Sequence, residues 1–323
     1  MIYHVIAFGV GILLDFLLGD PQKMPHPIRL IGRFIAFLEK KLNSGEKEKA
    51  LKGGRIMLCL VLFASSALTA VILILSYWIH LICGIAVEAA LTYYIMAARS
   101  LRDESMKVYK ELKKGEVEKA RFAVSMIVGR DTSVLDDIGI TKAAVETVAE
   151  NASDGVIAPM LYTAVGGPIL GFFYKAANTM DSMVGYKNEK YIHFGRAAAL
   201  FDDFVNYLPS RISAYLMMLA CLFCGKDFSM KNAYKIHKRD ARKHASPNSA
   251  QTESCCAGAL GIRLAGNAYY FGKLYEKPFI GEDKRPVVYE DIKRANKLML
   301  TTAILCAALL IALMLLIYCS LGQ

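Results

Sequence analysis

The chain has 323 residues, of which 55% are apolar and 21% are charged, and its formal net charge is +10. The apolar residues concentrate in long uncharged runs, which argues against a soluble protein with one large core. The eight cysteines include no paired CxxC motifs, which argues against a zinc site or a disulfide framework and predicts reduced thiols.

Four apolar runs have about the length, roughly 20 residues, that a helix needs to cross the hydrocarbon core. The predicted transmembrane helices are residues 2–19, 56–78, 79–98 and 298–322. Their only charged residues are Asp15 and Glu88. No Lys or Arg precedes the first run, so we expect a membrane helix there and no cleavable signal peptide. The sequence therefore predicts one all-α, polytopic, membrane-embedded domain over residues 1–323.

All 39 Lys and Arg residues lie outside these runs, in residues 20–55, 99–160, 174–211 and 226–297. The positive-inside rule then places both termini outside and the charged segments in the cytoplasm of a multi-pass protein of the cell membrane. Residues 99–297 would form a helical, cytoplasmic catalytic region, so that the active site faces the cytoplasm.

Two weaker apolar stretches, residues 155–173 and 212–225, leave four or six spans as alternatives. The first contains Pro159 and Pro168, and the second is short. Six spans would move residues 174–211 outside, whereas re-entrant or interfacial helices would keep them in the cytoplasm, provided that protein buries the broken backbone. We favour membrane-associated segments, because the polar motifs must converge on cytosolic substrates.

The first polar motif, GDPQKMPHP at residues 19–27, directly follows the first apolar run. With the next segment it places Asp20, His26 and Arg33 at the cytoplasmic edge of the membrane. A helix stop is the simpler interpretation, because Gly-Asp-Pro ends a helix.

The second motif, AVETVAENASDGVIAP at residues 144–159, stacks carboxylates on one helical face. Glu146, Glu150 and Asp154 recur every four residues, and Asn151 lies three residues before Asp154. Like charges at this spacing repel, and an oxygen-rich cluster beside an apolar segment suits Mg²⁺. A solvated acidic face is the alternative.

The third motif, NTMDSMVGYKN at residues 178–188, combines an amide, a carboxylate, hydroxyls and a lysine. Such a set is suited to a metal-bound phosphate. The residues concerned are Asn178, Asp181 and Lys187, with the pairs Asp202–Asp203 and Arg130–Asp131 as further charges.

The fourth motif, HKRDARKHASPNS at residues 237–249, brings two histidines and an aspartate together. His237, Asp240 and His244 could form a metal triad, but the many basic neighbours repel cations. An anion-binding surface is the better interpretation.

The chain lacks the GxxxxGK[ST] and GxGxxG motifs, so a nucleotide would not be held by a P-loop. Taken in order, its motifs resemble the CobD/CbiB family of cobalamin biosynthesis, the adenosylcobinamide-phosphate synthases. The resemblance covers nearly the whole chain. The blocks that carry it include GDP and HP within 19–27, GRDT at 129–132, ETVAENASDGVIAP at 146–159, YKAANTMDSMVGYKN at 174–188, PSR at 209–211, HASPNS at 244–249 and AGALGIRLAG at 257–266.

The resemblance implies an ATP-dependent ligase. It would join the propionate carboxylate of adenosylcobyric acid to the amine of (R)-1-amino-2-propanol phosphate, giving adenosylcobinamide phosphate. Activation as an acyl phosphate would drive the condensation, with Mg²⁺ neutralising the transferred phosphoryl group. The unphosphorylated and ethanolamine-type amines stay as alternative donors.

The motifs and the resemblance together give the polar residues expected roles. Carboxylates that would hold Mg²⁺ or support its ligands are Glu150, Asp154, Asp181, Asp202 and Asp203; the first three are also expected to be catalytic. His26 or His244 would accept the proton of the attacking amine. Residues expected to bind substrate or nucleotide are Asp20, Arg33, Arg130, Asn151, Asn178, Lys187, Arg211, Asn248 and Arg263.

Two other classes of function are alternatives. An AmpE-like, non-enzymatic membrane regulator or signal transducer would share the fold without the ligase motifs. A transporter would need ionisable groups in its spans, and only Asp15 and Glu88 qualify, both of which are expected near the interior. Besides the two substrates and the lipid bilayer, expected partners are late cobalamin-pathway membrane enzymes and a second copy of the chain, with no nucleic acid.

Overall fold

The structure, a computed structural model, describes residues 1–20 and 26–321 and is predominantly helical. The helices are α1 Ile2–Leu18, α2 Pro27–Leu42, α3 Lys47–Ile79, α4 Leu81–Ile95, α5 Ala98–Lys113, α6 Val117–Ser125, α7 Asp137–Asn151, α8 Ala158–Val184, α9 Arg196–Val205, α10 Tyr207–Cys224, α11 Met230–Asp240, α12 Ser249–Leu260 and α13 Glu290–Leu321. A π-helical turn, Ala152–Ile157, joins α7 to α8. The strands are β1 Arg263–Ala265, β2 Ala268–Tyr270, β3 Lys273–Tyr275 and β4 Phe279–Gly281.

The prediction of an all-α, polytopic membrane protein is confirmed. Within the described ranges, five helical stretches have the length and apolar composition to cross a membrane: Lys47–Ile79, Leu81–Lys113, Asp137–Val184, Tyr207–Cys224 and Glu290–Ser320. The first predicted span corresponds to the shorter apolar helix Ile2–Leu18. Helix boundaries differ from the predicted ones chiefly where charged residues extend an apolar run, as at Lys47–Arg55 and Glu290–Lys297.

The two weaker apolar stretches are both helical. Residues 155–173 fall in the π-helical turn and in α8, whose backbone breaks at Gly166 and Gly167 before Pro168. Gly167 has φ +61°, a left-handed conformation that side chains with a Cβ rarely adopt. Residues 212–225 lie almost entirely in the 18-residue helix α10. The helices that contain both stretches are long and apolar enough to cross a membrane. The preference for four spans, with these stretches only associated with the membrane, therefore stays a prediction.

The single domain predicted over residues 1–323 packs as two compact units, each built from segments that are distant in sequence. Unit 1 contains the described residues of Met1–Ala97, Ala158–Asn206 and those from Ala307 onward. Unit 2 contains Ala98–Ile157 and Tyr207–Cys306.

Unit 1 is a helical bundle in which α1 packs against α4, and α3 against α4 and α8. The α1–α4 contact is close at Gly11, where a Cβ atom would lie 2.5 Å from Cβ of Thr92. The acidic residues of the predicted spans point inward, since Asp15 is 2% exposed and Glu88 is 6% exposed. Glu88 accepts hydrogen bonds from His4, at 2.5 Å, and from the Tyr77 hydroxyl. Hydrogen bonding offsets the high cost of a carboxylate among apolar helices.

Unit 2 is built around α12, whose twelve residues are all buried. It contacts α7, α10 and α11. Small residues such as Ala257 and Gly258 permit this packing on every side, and a Cβ atom at Gly258 would lie 2.6 Å from the Asn232 carbonyl oxygen. Two antiparallel strand pairs follow α12: β1 pairs with β4 and β2 with β3. The sequence did not predict them, because three-residue strands are too short to show an alternating pattern.

Candidate functional site

A small polar cleft of about 50 Å³ lies within unit 2, between α7, α12 and the strands. Its wall carries charged side chains of both signs. They are Arg130, Glu146, Glu150, Glu253 and Lys277, and the His244 ring lies beside them. Three residues predicted from separate motifs, Arg130, Glu150 and His244, therefore meet in one place.

Helix α7 provides the acidic wall of the cleft. Asp136 caps the helix, since its carboxylate accepts a hydrogen bond from the Gly139 amide at 2.7 Å. Glu146 and Glu150 lie one turn apart and face the cleft, as their i, i+4 spacing requires. Glu146 forms a buried ion pair with Arg130 and also accepts a hydrogen bond from the Ala265 amide at 2.7 Å. Glu146 thus joins the GRDT loop and strand β1 to α7.

The β2–β3 hairpin borders the same cleft and is fastened by Asp131. The Asp131 amide donates to the Tyr269 carbonyl at 2.8 Å, and its carboxylate accepts from the Gly272 amide at 2.7 Å. Lys277 follows the hairpin, and its ammonium group donates to the Tyr270 hydroxyl at 2.7 Å. The second cation of the cleft is therefore held in place by the hairpin.

Three carboxyl groups share this confined space, and Glu146 and Glu253 are both buried. Burial, followed by the negative charges of Glu150 and Glu146, raises the pKa of Glu253 well above its usual value, although Arg130 and Lys277 oppose the shift. Burial works to lower the pKa of Arg130, but the Glu146 carboxylate outweighs it and raises that pKa. Glu253 therefore favours the protonated form while Arg130 stays charged.

His244 lines the cleft in a defined orientation. Its Nδ1 atom accepts a hydrogen bond from the Ser246 amide at 3.1 Å. In the neutral ring Nε2 then carries the hydrogen, which suits a donor to an anionic group. His26 has the same arrangement, since its Nδ1 atom accepts from the Ile28 amide at 3.2 Å.

Oxygen ligands for Mg²⁺ are present in the cleft. Mg²⁺ is typically bound by one or two carboxylates together with waters and substrate phosphates. Glu150 supplies such oxygens, whereas Glu253 favours the protonated form and Glu146 already engages Arg130 and the Ala265 amide. Among residues 1–20 and 26–321, no group of three or more His, Cys, Asp or Glu side chains is arranged to hold a metal ion. The magnesium site stays a prediction.

The third motif forms a buried polar network within unit 1. The Asp202 carboxylate accepts hydrogen bonds from Asn206 at 3.0 Å and from Asn178 at 3.4 Å. The Tyr174 hydroxyl donates to Asn206 at 2.7 Å. Burial, then the negative charge of Asp181, raises the pKa of Asp202 to about 7, against the lowering effect of the two amides. Asp181 and Asp202 thus lie close enough for their charges to interact.

The chain packs tightly around Asp181. A Cβ atom at Gly185 would lie 1.9 Å from the Asp181 Oδ1 atom and 2.7 Å from the Asp181 carbonyl oxygen, so a larger residue would force the backbone to shift. Asp203 adds its charge to that of Asp181 beside Asp202. Lys187, in the same motif, is exposed.

Several predicted binding residues engage neighbouring protein groups. Arg211 donates to the Asn248 side chain at 2.8 Å and lies 3.6 Å above the Tyr207 ring. Arg263 forms an ion pair with Asp283 at 2.9 Å. These contacts favour roles in positioning the SPNS loop and strand β1.

Two residues of the second motif lie at and beyond the end of α7. Asn151 donates to the Thr147 carbonyl at 3.0 Å, a contact within the helix. Asp154 lies in the π-helical turn, a feature that is frequent at functional sites.

The first motif lies only partly within the described residues, because residues 21–25 are outside them. Asp20 and His26 approach to 3.8 Å within unit 1. His26 and Arg33 line an apolar cavity of that unit.

Three residues of the cleft, Glu253, Tyr270 and Lys277, were not predicted from the sequence. Glu253 could have been predicted, because it is the single charged residue of AQTESCCAGALG, residues 250–261. A carboxylate among small and apolar residues is costly unless it is paired or hydrogen-bonded. Tyr270 and Lys277 had none, because they reach the cleft only through the hairpin.

The fold and the site thus place this chain among polytopic helical membrane proteins that carry a cleft lined by charges of both signs. The sequence profile of the CobD/Cbib protein family matches residues 8–299. The chain is 44% identical to the cobalamin biosynthesis protein CobD of Clostridium perfringens, over 91% of this chain and 93% of that protein. It is 43% identical to the cobalamin biosynthesis protein CbiB of Salmonella typhimurium, over 95% and 97% of the two chains. No solved structure matches it significantly. The chain belongs to the CobD/CbiB family.

Proposed function

We propose that this chain acts in cobalamin biosynthesis as an adenosylcobinamide-phosphate synthase of the cell membrane. It joins the adenosylcobyric acid carboxylate to the amine of (R)-1-amino-2-propanol phosphate and converts ATP to ADP and phosphate. Family membership and the names of the relatives support the pathway. The placement of every Lys and Arg between apolar runs supports a site that faces the cytoplasm.

One observation carries the reaction type: the cleft of unit 2 combines carboxylates with two fixed cations and a histidine. Condensing a carboxylate with an amine requires prior activation, and transfer of a phosphoryl group supplies it. Arg130 and Lys277 can stabilise the oxygens of that group as charge shifts during the transfer. Mg²⁺, when bound at Glu150 together with waters and substrate phosphates, would neutralise the same oxygens.

The attacking amine must then lose a proton. Glu146 is paired with Arg130, Glu253 favours the protonated form and Glu150 would hold Mg²⁺, so an oxygen of the departing phosphate is the suitable acceptor. His244 would donate from Nε2 to the phosphoryl group or the acyl oxygen.

The test is turnover of detergent-purified protein with adenosylcobyric acid, aminopropanol phosphate, ATP and Mg²⁺, followed by product mass. Glu150→Gln should abolish product, and Glu116→Gln, an exposed acid of the same unit outside the cleft, should retain wild-type turnover. Wild-type turnover of Glu150→Gln would refute its role. Asp181→Asn tests the unit 1 network in the same way. Absence of product with every amine donor, from folded protein, would instead support a non-catalytic, AmpE-like regulator.

A further inference from the structure

Unit 1 contains a cavity of about 680 Å³ that shares no residue with the proposed ligase cleft of unit 2. Helices α2, α3, α4 and α8 surround it. Its wall is mostly apolar and includes Leu30, Ile31, Leu68, Ile72, Leu91 and Phe172. On α3 this wall extends from Ser65 to Ile72, which is about 10 Å along the helix axis.

One end of the cavity is cationic. Arg29 and Arg33 lie one turn apart on α2, and both side chains line the cavity and are exposed. His26 lies beside them, with Asp20 at 3.8 Å as the opposing acidic group. The Lys175 ammonium group adds positive charge near His26. Burial is the largest cause that lowers the pKa of the His26 ring, and the Lys175 charge lowers it further.

This cationic end lies where two apolar helices finish. The His26 ring packs edge-on against Tyr94, with 5.2 Å between the ring centroids, one residue before α4 ends. The neighbouring Tyr93 hydroxyl donates at 2.5 Å to the carbonyl of Gly19, directly after α1. The ends of membrane helices lie at the level of the lipid headgroups, so the arginines are placed at that level.

We propose that this cavity binds an anionic phospholipid. The headgroup phosphate pairs with Arg29 and Arg33, and an acyl chain lies along Leu68 and Ile72. The charge of the rim and the apolar wall complement the two halves of such a molecule.

The corrinoid substrate fits this cavity less well. Its periphery carries amide groups, which need hydrogen-bond partners when they are buried. Apart from the cationic rim, the wall offers the hydroxyls of Ser65 and Thr69 and of Tyr94, and Thr69 already donates to the Ser65 carbonyl at 2.8 Å. An acyl chain needs no such partners.

Native mass spectrometry of the delipidated full-length protein tests the proposal. The protein is mixed with phosphatidylglycerol or phosphatidylcholine of identical acyl chains, and retained lipid is counted. We expect retention of phosphatidylglycerol to exceed that of phosphatidylcholine. Arg29→Gln should lower the preference about fivefold, since one cation near a membrane surface contributes about that factor. Lys41→Gln, which removes the same charge from the other end of α2, should leave it unchanged.

A second variant tests the apolar wall. Ser65→Phe places a ring in the cavity and should reduce retention of both lipids, which a purely superficial headgroup contact would not do. Glycerol phosphate at matched concentration should not displace the lipid. Equal retention of the two lipids, equal effects of Arg29→Gln and Lys41→Gln, or displacement by glycerol phosphate would overturn the proposal. None of these readouts depends on ligase activity.

Discussion

Replacing Arg130 by Met should destabilise the protein as well as inactivate it. The Glu146 side chain is 6% exposed, so the substitution leaves a carboxylate buried without its cation. Loss of one partner from a buried ion pair costs about 3–5 kcal/mol. We expect the lower end, about 3 kcal/mol, because Glu146 keeps the Ala265 amide as a hydrogen-bond donor. The double variant Arg130→Met/Glu146→Gln removes both charges and should recover most of this loss.

Reversible unfolding in mixed micelles, titrated with denaturing detergent, gives the free energies for the wild type, both single variants and the double variant. The double-mutant cycle should show a coupling energy of at least about 2 kcal/mol. Turnover should be lost in every variant that lacks Arg130, including the stable double variant, if Arg130 also contacts the phosphoryl group. Additive changes in the free energy of unfolding would refute the buried pair, and an active double variant would refute the catalytic contact.

Asp202, Lys277 and Gly11 each allow a further test. The pKa of Asp202 is about 7 in the folded state, against an ordinary value of 3.8. Between pH 4 and 7 the folded state therefore binds more protons than the unfolded state, and the free energy of unfolding should fall as pH rises. Melting curves of Asp202→Asn should show a weaker fall, and those of Glu48→Gln, an exposed acid of the same unit, should follow the wild type. Lys277→Gln should lower turnover about a hundredfold, as loss of one stabilising donor does. Substitution of the exposed Lys273 by Gln should retain turnover. Equal rates of the two variants would contradict a role of Lys277 in stabilising the phosphoryl group. Gly11→Leu should cost about 2 kcal/mol through overpacking against α4, and an unchanged melting temperature would show that this contact is loose.

Much of the fold could be predicted from the sequence, because uncharged runs of about 20 residues form membrane-spanning helices. The same criterion could not decide the role of residues 155–173. Their glycines and prolines permit either a broken span or a re-entrant segment, and the observed break at Gly166–Gly167 is compatible with both. The short strands depended on tertiary pairing, such as that of Arg263 with Gly281, which leaves no local signature.

The candidate site could be predicted only where it lies on a helix. The i, i+4 spacing of Glu146 and Glu150 is enough by itself to identify one wall of the cleft. Arg130 and His244 come from loops more than a hundred residues apart, and the motifs supplied their identity but not their proximity. Lys277 depends on the hairpin, which itself depends on Asp131, so no property of the residues around 277 marks it.

An isotope experiment tests the proposed chemistry most directly. Adenosylcobyric acid labelled with ¹⁸O in its reacting carboxylate is incubated with the purified protein, ATP, Mg²⁺ and aminopropanol phosphate. Attack of the carboxylate on the γ-phosphoryl group, followed by aminolysis, should transfer one labelled oxygen to inorganic phosphate in each turnover, with adenosylcobinamide phosphate and ADP as the other products. Label in AMP, or product formed with unlabelled phosphate, would contradict the acyl-phosphate route.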